Sequence, residues 1–375
     1  MATVSWNPVT DGPRSPEQIA DLLALTQEKL IKRGTLVNLM TDLTEFVGYK
    51  NLLKAKEVAF AGGLKWRFDV IVDHNHTAKH TKLYDTDVSN EVEATTKGEV
   101  GPRYTTANYT YDLREPELQS TSKEVIVKYV LKKNMQMRQA HAELMEADVW
   151  GGPATATDDT TPFGFKYWFT PQSAANFALH PNGDFDGVDP MLKKSDTDQT
   201  LVAVARAGVT SSQYSRFANW ACRYKAVSKE DLIFKMRRAV RRTNFRSPIQ
   251  TTPEPTLSTG FGIYTTDDVI TTMEDILERQ NMNLGNDVAS KDGKCVFKGH
   301  PLVYVPYLDK NADQPLYMID CKTVGFGVNP GWLEKTSKPM EVPNMHNVRR
   351  VFLDSGWNMV CTNLRRNAVF TLDHA

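Results

Sequence analysis

The segment FDVIVDHNHTAKH, residues 68–80, carries the side chains whose types and spacing come closest to chemistry. An apolar run leads into His74, Asn75 and His76, and His80 follows four residues later. Two imidazoles at the end of one strand could hold a divalent metal that activates water for hydrolysis. A working centre needs further ligands from later in the chain. His141 falls inside a long helical pattern, and His180, His300 and His346 do not follow clear βα repeats. Exposed histidines, or histidines capping a polar ribbon, are the favoured reading; no metal, cofactor or catalytic residue is expected.

In MRRAVRRTNFR, Arg237, Arg238, Arg241 and Arg242 lie along one helical pattern, with Arg246 just beyond it. Such a cluster can contact phosphates, but a solvated or subunit-facing helix side is favoured, because few aromatic residues are interleaved for base stacking. VGFGVNPG supplies Gly325 and Gly327 with no helix pattern behind them, so a dinucleotide loop is not expected. No GxxxxGKS/T, HExxH or GxSxG occurs. Asp158 with Asp159 falls in a Thr-rich loop and Asp267 with Asp268 in a first helical turn, where anionic residues are favoured by the helix dipole.

Composition sets the frame for these motifs. The 375 residues, 41% of them hydrophobic, can bury a substantial core. Lys and Arg number 45 and Asp and Glu 45, so no net field draws the molecule to DNA or an anionic membrane. Cys222, Cys295, Cys321 and Cys361 form no CxxC pair, which argues against a zinc ribbon. The N-terminal MATVSWNPVTDGPRSPEQ lacks the charge and apolar core of a signal peptide, and no run approaches the length of a membrane span. A cytosolic protein is expected.

The elements that must position the histidines follow from periodicity. Ser15 with Pro16, Glu17 and Gln18 signals a helix start, and TLVNLMTDLTEFV extends this arm. From Leu64 the period becomes two: Trp66, Phe68, Val70 and Val72 share one face of a strand. A matching strand is expected at YTTANYTYDL, leaving His74 to Arg103 as a long polar connection. Loops above about 12 to 15 residues are uncommon in compact domains, and an isolated two-stranded ribbon is marginal in water. The ribbon is therefore expected to become ordered against another surface, which need not belong to the same chain.

TSKEVIVKYVLKKNMQMRQAHAELMEADVWGG predicts a long helix, capped near Thr121 or Ser122 and ended by Gly151 and Gly152. At about 1.5 Å per residue it would run about 40 Å, which suits a spine. Val127, Leu131, Met135, Ala142 and Met145 form the expected apolar stripe, and Lys132, Lys133, Arg138, Glu143 and Glu146 occupy much of the rest. PFGFKYWFTP reads as an aromatic strand and HPNGDFDGVDP as a turn-rich loop. Helices are predicted from Ser228 and from near Thr266 to Gly285, followed by the strand segments HPLVYVPYL, PLYMIDCKTVGFGV and VRRVFLDSGWNMVCTNLRRNAVFTL.

This order of elements resembles the major capsid proteins of tailed bacteriophages, the HK97-like capsid fold that encapsulin shells also use. The resemblance runs over nearly the whole chain and rests on SKEVIVKYVLKKNMQMRQAHAELMEADVW as spine helix, GHPLVYVPYLD with PLYMIDCKTVGFGV as late axial-domain strands, and WNMVCTNLRRNAVFTL as closing peripheral strands. It implies an α+β fold with an N-terminal arm at 1–63, an extended β-hairpin loop at 64–118, a spine helix of the peripheral domain at 119–150, an axial domain with peripheral segments at 151–345, and closing peripheral strands at 346–375.

The implied function is a structural shell subunit that assembles itself as hexamers and pentamers into an icosahedral capsid around double-stranded DNA. The implied location is the virion capsid, assembled in the host bacterial cytoplasm. Expected partners are further copies of the chain, a separate scaffolding protein, portal and decoration proteins, and DNA through non-specific contact; no membrane is expected. Candidate intersubunit contacts are His74, His76, Lys79, His80, Lys82, Glu91, Lys97 and Arg103 on the extended loop, Lys132 and Arg138 on the spine, and Arg237 and Arg241. Few residues precede the loop, so a fused scaffolding domain is not expected, and a separate scaffold or none is. Some relatives join subunits by a lysine to asparagine crosslink; Lys79, Lys82 and Lys97 match no such motif, and the bond is not expected here. The alternatives are an encapsulin-type shell around a cargo enzyme and a metal-dependent hydrolase using His74 and His76, whose HxH resembles the first metal-binding element of amidohydrolases without their eight-fold βα barrel.

Overall fold

The computed structural model describes residues 45–53, 57–59, 65–71, 80, 82–83, 95–114, 123–153, 158–185, 206–207, 209, 217–243, 260–281, 295–345 and 347–373. The helix expected from Ser15 lies outside them, as do His74, His76, Lys79 and Glu91. The chain divides into a larger unit, Leu43–Tyr109, Gln136–Lys338 and Val351–Ala375, and a smaller one, Met1–Asp42, Thr110–Met135 and Pro339–Arg350.

In chain order the elements are β1 (Glu57–Ala59), β2 (Trp66–Ile71), β3 (Thr95–Val100), β4 (Arg103–Asp112) and the spine helix α1 (Lys123–Trp150). The short helices α2 (Phe165–Trp168) and α3 (Ala174–Leu179) lead to β5 (Asp184–Phe185), β6 (Trp220–Tyr224), α4 (Leu232–Arg242), β7 (Phe261–Thr265) and α5 (Asp267–Asn281). Then come β8 (Val296–Phe297), β9 (His300–Tyr304), β10 (Leu316–Asp320), β11 (Val324–Val328), β12 (Lys335–Thr336), β13 (Met340–Glu341), β14 (Val348–Cys361) and β15 (Ala368–Leu372). The expected α+β class is what the chain adopts.

In the larger unit a seven-stranded mixed sheet runs β5-β6-β15-β10-β7-β9-β8. Its central strands β7 and β10 are buried at every residue, which explains why FGIYT and LYMID read as continuous apolar runs instead of alternating ones. The edge strands β5 and β8 have two residues each, short enough to offer little template for unwanted pairing. Leu232, Met236, Ala239 and Val240 of α4, with Val269 and Met273 of α5, pack with Trp220, Cys222, Ile263, Leu316, Met318 and Phe370 of the sheet.

A second sheet has the order β1-β11-β14-β12. The late strands read together from sequence thus divide: β10 and β15 join the seven-stranded sheet, whereas β11 and β14 join this one. Buried Asn367 stabilises the crossing from β14 to β15. Its amide donates to Asn363 O at 2.8 Å and to Thr323 Oγ1 at 3.1 Å, and its oxygen accepts from Asp320 N–H at 2.8 Å. In the smaller unit β13 pairs with the start of β14, Met340 opposite Arg350 and Glu341 opposite Arg349.

Three expectations about elements change. β2 pairs antiparallel with β3, inside the stretch read as a polar connection, and not with the strand at 104–113. That strand, β4, pairs with β14 instead. The polar composition of β3 hid it, because every other position faces solvent. PFGFKYWFTP is not a strand: Phe165–Trp168 form a helical turn whose buried aromatic rings lie under the end of α1. Lys166 N–H donates to Gly151 O at 3.1 Å, and a Cβ on Gly164 would lie 2.2 Å from Asp148 O, so glycine permits this close approach. Finally, the buried line of α1 is Met137, His141, Met145 and Val149, four residues apart, while Leu131 and Met135 are exposed and Glu146 is buried.

Candidate functional site

The histidines do not converge among the described residues. His80 is exposed, His141 and His300 are buried in separate elements, and His180 lies 3.6 Å from Asp184 on the surface. Among the described residues no three His, Cys, Asp or Glu side chains could hold a metal. The four cysteines are buried and joined by no disulfide, and burial raises the Cys222 and Cys361 thiols to about 12.

The β2–β3 ribbon is built from its base upward. In the β2–β3 pair, Asp69 stands opposite Lys97 and Arg67 opposite Glu99. The Glu99 carboxylate lies 3.1 Å from Lys65 Nζ and 2.8 Å from Arg67 Nε, and the hydrogen bond from Lys65 is the main reason its pKa falls below the usual range. These groups are solvent-exposed, so the pairs set register more than stability. The opposite face is apolar and tied to the chain's own body. Trp66 and Val70 are buried, the Trp66 ring covers Gly327 of β11, and Glu99 N–H donates to Ala207 O at 2.7 Å. The β2–β3 pair therefore has an intramolecular seat.

The remaining candidates fall at several places. His80, Lys82 and Lys97 are exposed. Arg103 is half-buried with its guanidinium 5.6 Å from the Phe163 ring, a contact within its own subunit. Lys132 is half-buried and Arg138 exposed on α1. On α4, Arg237, Arg241 and Arg242 are exposed and Arg238 is half-buried; Arg238 and Arg242 border a cleft at the β5 edge. The helix begins at Leu232, four residues after the expected start at Ser228. Asp231 first turns back to accept Lys225 N–H at 2.6 Å and Ala226 N–H at 3.1 Å, and Ser228 Oγ accepts Asp231 N–H at 3.1 Å.

The buried acids at the end of α1 were missed by sequence reasoning. Glu146 accepts from Gly48 N–H at 3.0 Å, Tyr49 N–H at 2.8 Å and Trp150 Nε1 at 2.8 Å, fastening a helical turn, Gly48–Leu53, to the spine. Burial nonetheless raises its pKa. Asp148 is pushed to about 7, by burial first and then by nearby Asp158. Asp158 itself is held well below the usual carboxylate range: hydrogen bonds from Thr160 and Thr161 outweigh its burial. The paired carboxylates thus serve local structure, as does Asp268, which accepts from Gln314 Nε2 at 2.9 Å. Gly325 and Gly327 lie within β11, not in a phosphate-binding loop. The arrangement offers packing, caps and charged surface.

No family model and no curated protein matches the sequence. Solved structures do match its fold. A chain of the cyanophage A-1(L) capsid asymmetric unit aligns over 92% of this chain and 98% of its own, with a TM-score of 0.59 at 11% identity. One from the capsid of the empty GTA particle aligns over 92% and 96%, TM-score 0.51 at 9% identity. One from the asymmetric unit of the bacteriophage PhiM1 mature capsid aligns over 92% and 91%, TM-score 0.50 at 11% identity. At such identities the likeness establishes architecture, and the architecture of this chain is that of phage capsid subunits.

Proposed function

We propose that the chain is a structural, non-enzymatic shell subunit that assembles with copies of itself, as hexamers and pentamers, into an icosahedral phage capsid enclosing double-stranded DNA. The observation that carries this reading is the end-to-end correspondence with the cyanophage capsid chain, which leaves little of either chain unmatched. Surface character supports it. Leu131 and Met135 of α1 are 55% and 58% exposed, and Leu83 and Tyr104 are more exposed still. Apolar side chains so placed gain by burial, at about 25 cal/mol per Å² of apolar area. No helix among the described residues is long and apolar enough to cross a membrane.

In this reading His80, Lys82 and Lys97 on the extended loop, Lys132 and Arg138 on the spine, and Arg237 and Arg241 on α4 meet neighbouring subunits. Each exposed ion pair contributes only about 0.2 to 1 kcal/mol, so assembly rests on many contacts acting together. Scaffolding, portal and decoration proteins, and non-specific contact with packaged DNA, belong to the same reading, as does residence in the virion. Velocity sedimentation of the expressed chain, alone and with a co-expressed scaffolding protein, tests it. Shell-sized particles are expected in at least one condition, and persistence as a slow monomer throughout would contradict it.

A further inference from the structure

On the larger unit, at the β5 edge of the seven-stranded sheet, Arg238 and Arg242 of α4 border an open cleft of about 140 Å³ together with His180, Asp184 and Trp220. The two arginines are one helical turn apart and therefore present neighbouring guanidinium groups. Among the described residues neither has an ion-pair partner, although acidic and basic residues are equally abundant in the chain. Trp220 is 2% exposed, and among the described residues its indole N–H has no hydrogen-bond acceptor. The positive character extends behind the cleft: Phe185 packs edge-on to Trp220 at 5.1 Å and carries the Arg365 guanidinium over its ring at 4.0 Å. Asp184, the one carboxylate among the described residues that line the cleft, accepts from Phe185 N–H at 2.7 Å and lies 3.6 Å from His180.

We propose that this cleft binds a tetrahedral phosphate oxyanion through Arg238 and Arg242. Two guanidinium forks match an oxyanion's geometry. The volume suits an ion with a few waters and falls well below the roughly 300 to 1,000 Å³ of pockets for larger organic ligands. The partition of the arginine cluster gives the proposal its control: Arg237 and Arg241 carry the same charge on the same helix but do not border the cleft. The phosphate can come from free inorganic phosphate or from the backbone of nucleic acid. The inference does not depend on the shell reading.

The test is calorimetric titration of the full-length, unassembled chain with inorganic phosphate, at ionic strength held constant with chloride. Saturable binding is expected in the parent chain. Arg238→Gln with Arg242→Gln should weaken it tenfold or more, while Arg237→Gln with Arg241→Gln changes it less than threefold, and Asp184→Asn tightens it. If the glutamine pair fails to fold, Arg238→Lys with Arg242→Lys keeps the charges while losing the fork, and should still weaken binding severalfold. A short DNA duplex that displaces phosphate from the parent chain identifies backbone phosphate as the source; a duplex that leaves phosphate bound identifies the free ion. Absence of saturable binding, or equal loss in the Arg237 and Arg241 control, overturns the proposal.

Discussion

The Trp66 indole occupies the space that a side chain on Gly327 would need: a Cβ built there lies 2.5 Å from Cη2 of the ring. This contact seats the base of the β2–β3 ribbon on β11 of the same chain. Gly327→Ala is expected to destabilise the subunit by about 1 to 3 kcal/mol through overpacking. Trp66→Leu in the same chain should recover part of that loss, because the two residues are in contact and their effects do not add. Urea unfolding of the two single variants and the double variant measures the coupling; strict additivity would contradict the described contact.

A different dependence is expected for Glu146. Its carboxylate is the acceptor for two backbone N–H groups and one indole, so Glu146→Ala leaves three buried donors unsatisfied. A loss of about 2 to 4 kcal/mol follows from the cost of orphaned buried polar groups. Hydrogen exchange should report it locally, with protection lost at Gly48 and Tyr49 first.

Asp148 gives the subunit a pH signature. Its folded pKa, about 7, lies above its ordinary value of 3.8, so between these limits the folded state binds the proton more tightly than the unfolded state. Its contribution to stability is therefore fully present below about pH 4, declines as pH rises toward about 7, and is then lost. Asp148→Asn removes the ionisation and should raise stability at pH 8 by on the order of 2 kcal/mol, with a far smaller gain at pH 4. Unfolding of unassembled subunits across this range checks both sign and window.

How much of this was legible in the sequence depends on what kind of signal each element gave. The spine helix was visible because its capping residues and terminal glycines agree with its length. Its buried face was not, since Leu131 and Met135 are as apolar as Met137 and Met145, and only tertiary packing separates them. β3 was hidden because TTKGEV is polar on its outer face and relies for its apolar face on Val100, with Gly98 lying under the Phe68 ring. The aromatic segment at Phe165 gave a misleading period, because a single buried helical turn also brings several rings inward. Glu146 looked like a surface residue by type, and its partners lie nearly 100 residues away in sequence. The arginines of α4 were visible as a cluster, but their division between open surface and cleft depends on where β5 and β6 lie.

The exposed pair on α1 separates folding from assembly. Leu131→Glu with Met135→Glu alters side chains that are 55% and 58% exposed, so unfolding free energy should change by no more than about 0.5 kcal/mol per site. Particle formation should fall steeply if these side chains are covered by a neighbour. Unfolding and light scattering on the same preparation measure the two effects together, and normal assembly of the variant would remove this surface from the account.

The central claim, a self-assembling shell subunit, is tested most directly by negative-stain electron microscopy of the freshly expressed chain, alone and with its neighbouring genes co-expressed. The account predicts uniform closed shells, or rings of six and five subunits, in at least one of these conditions. Dispersed small oligomers in every condition would contradict it.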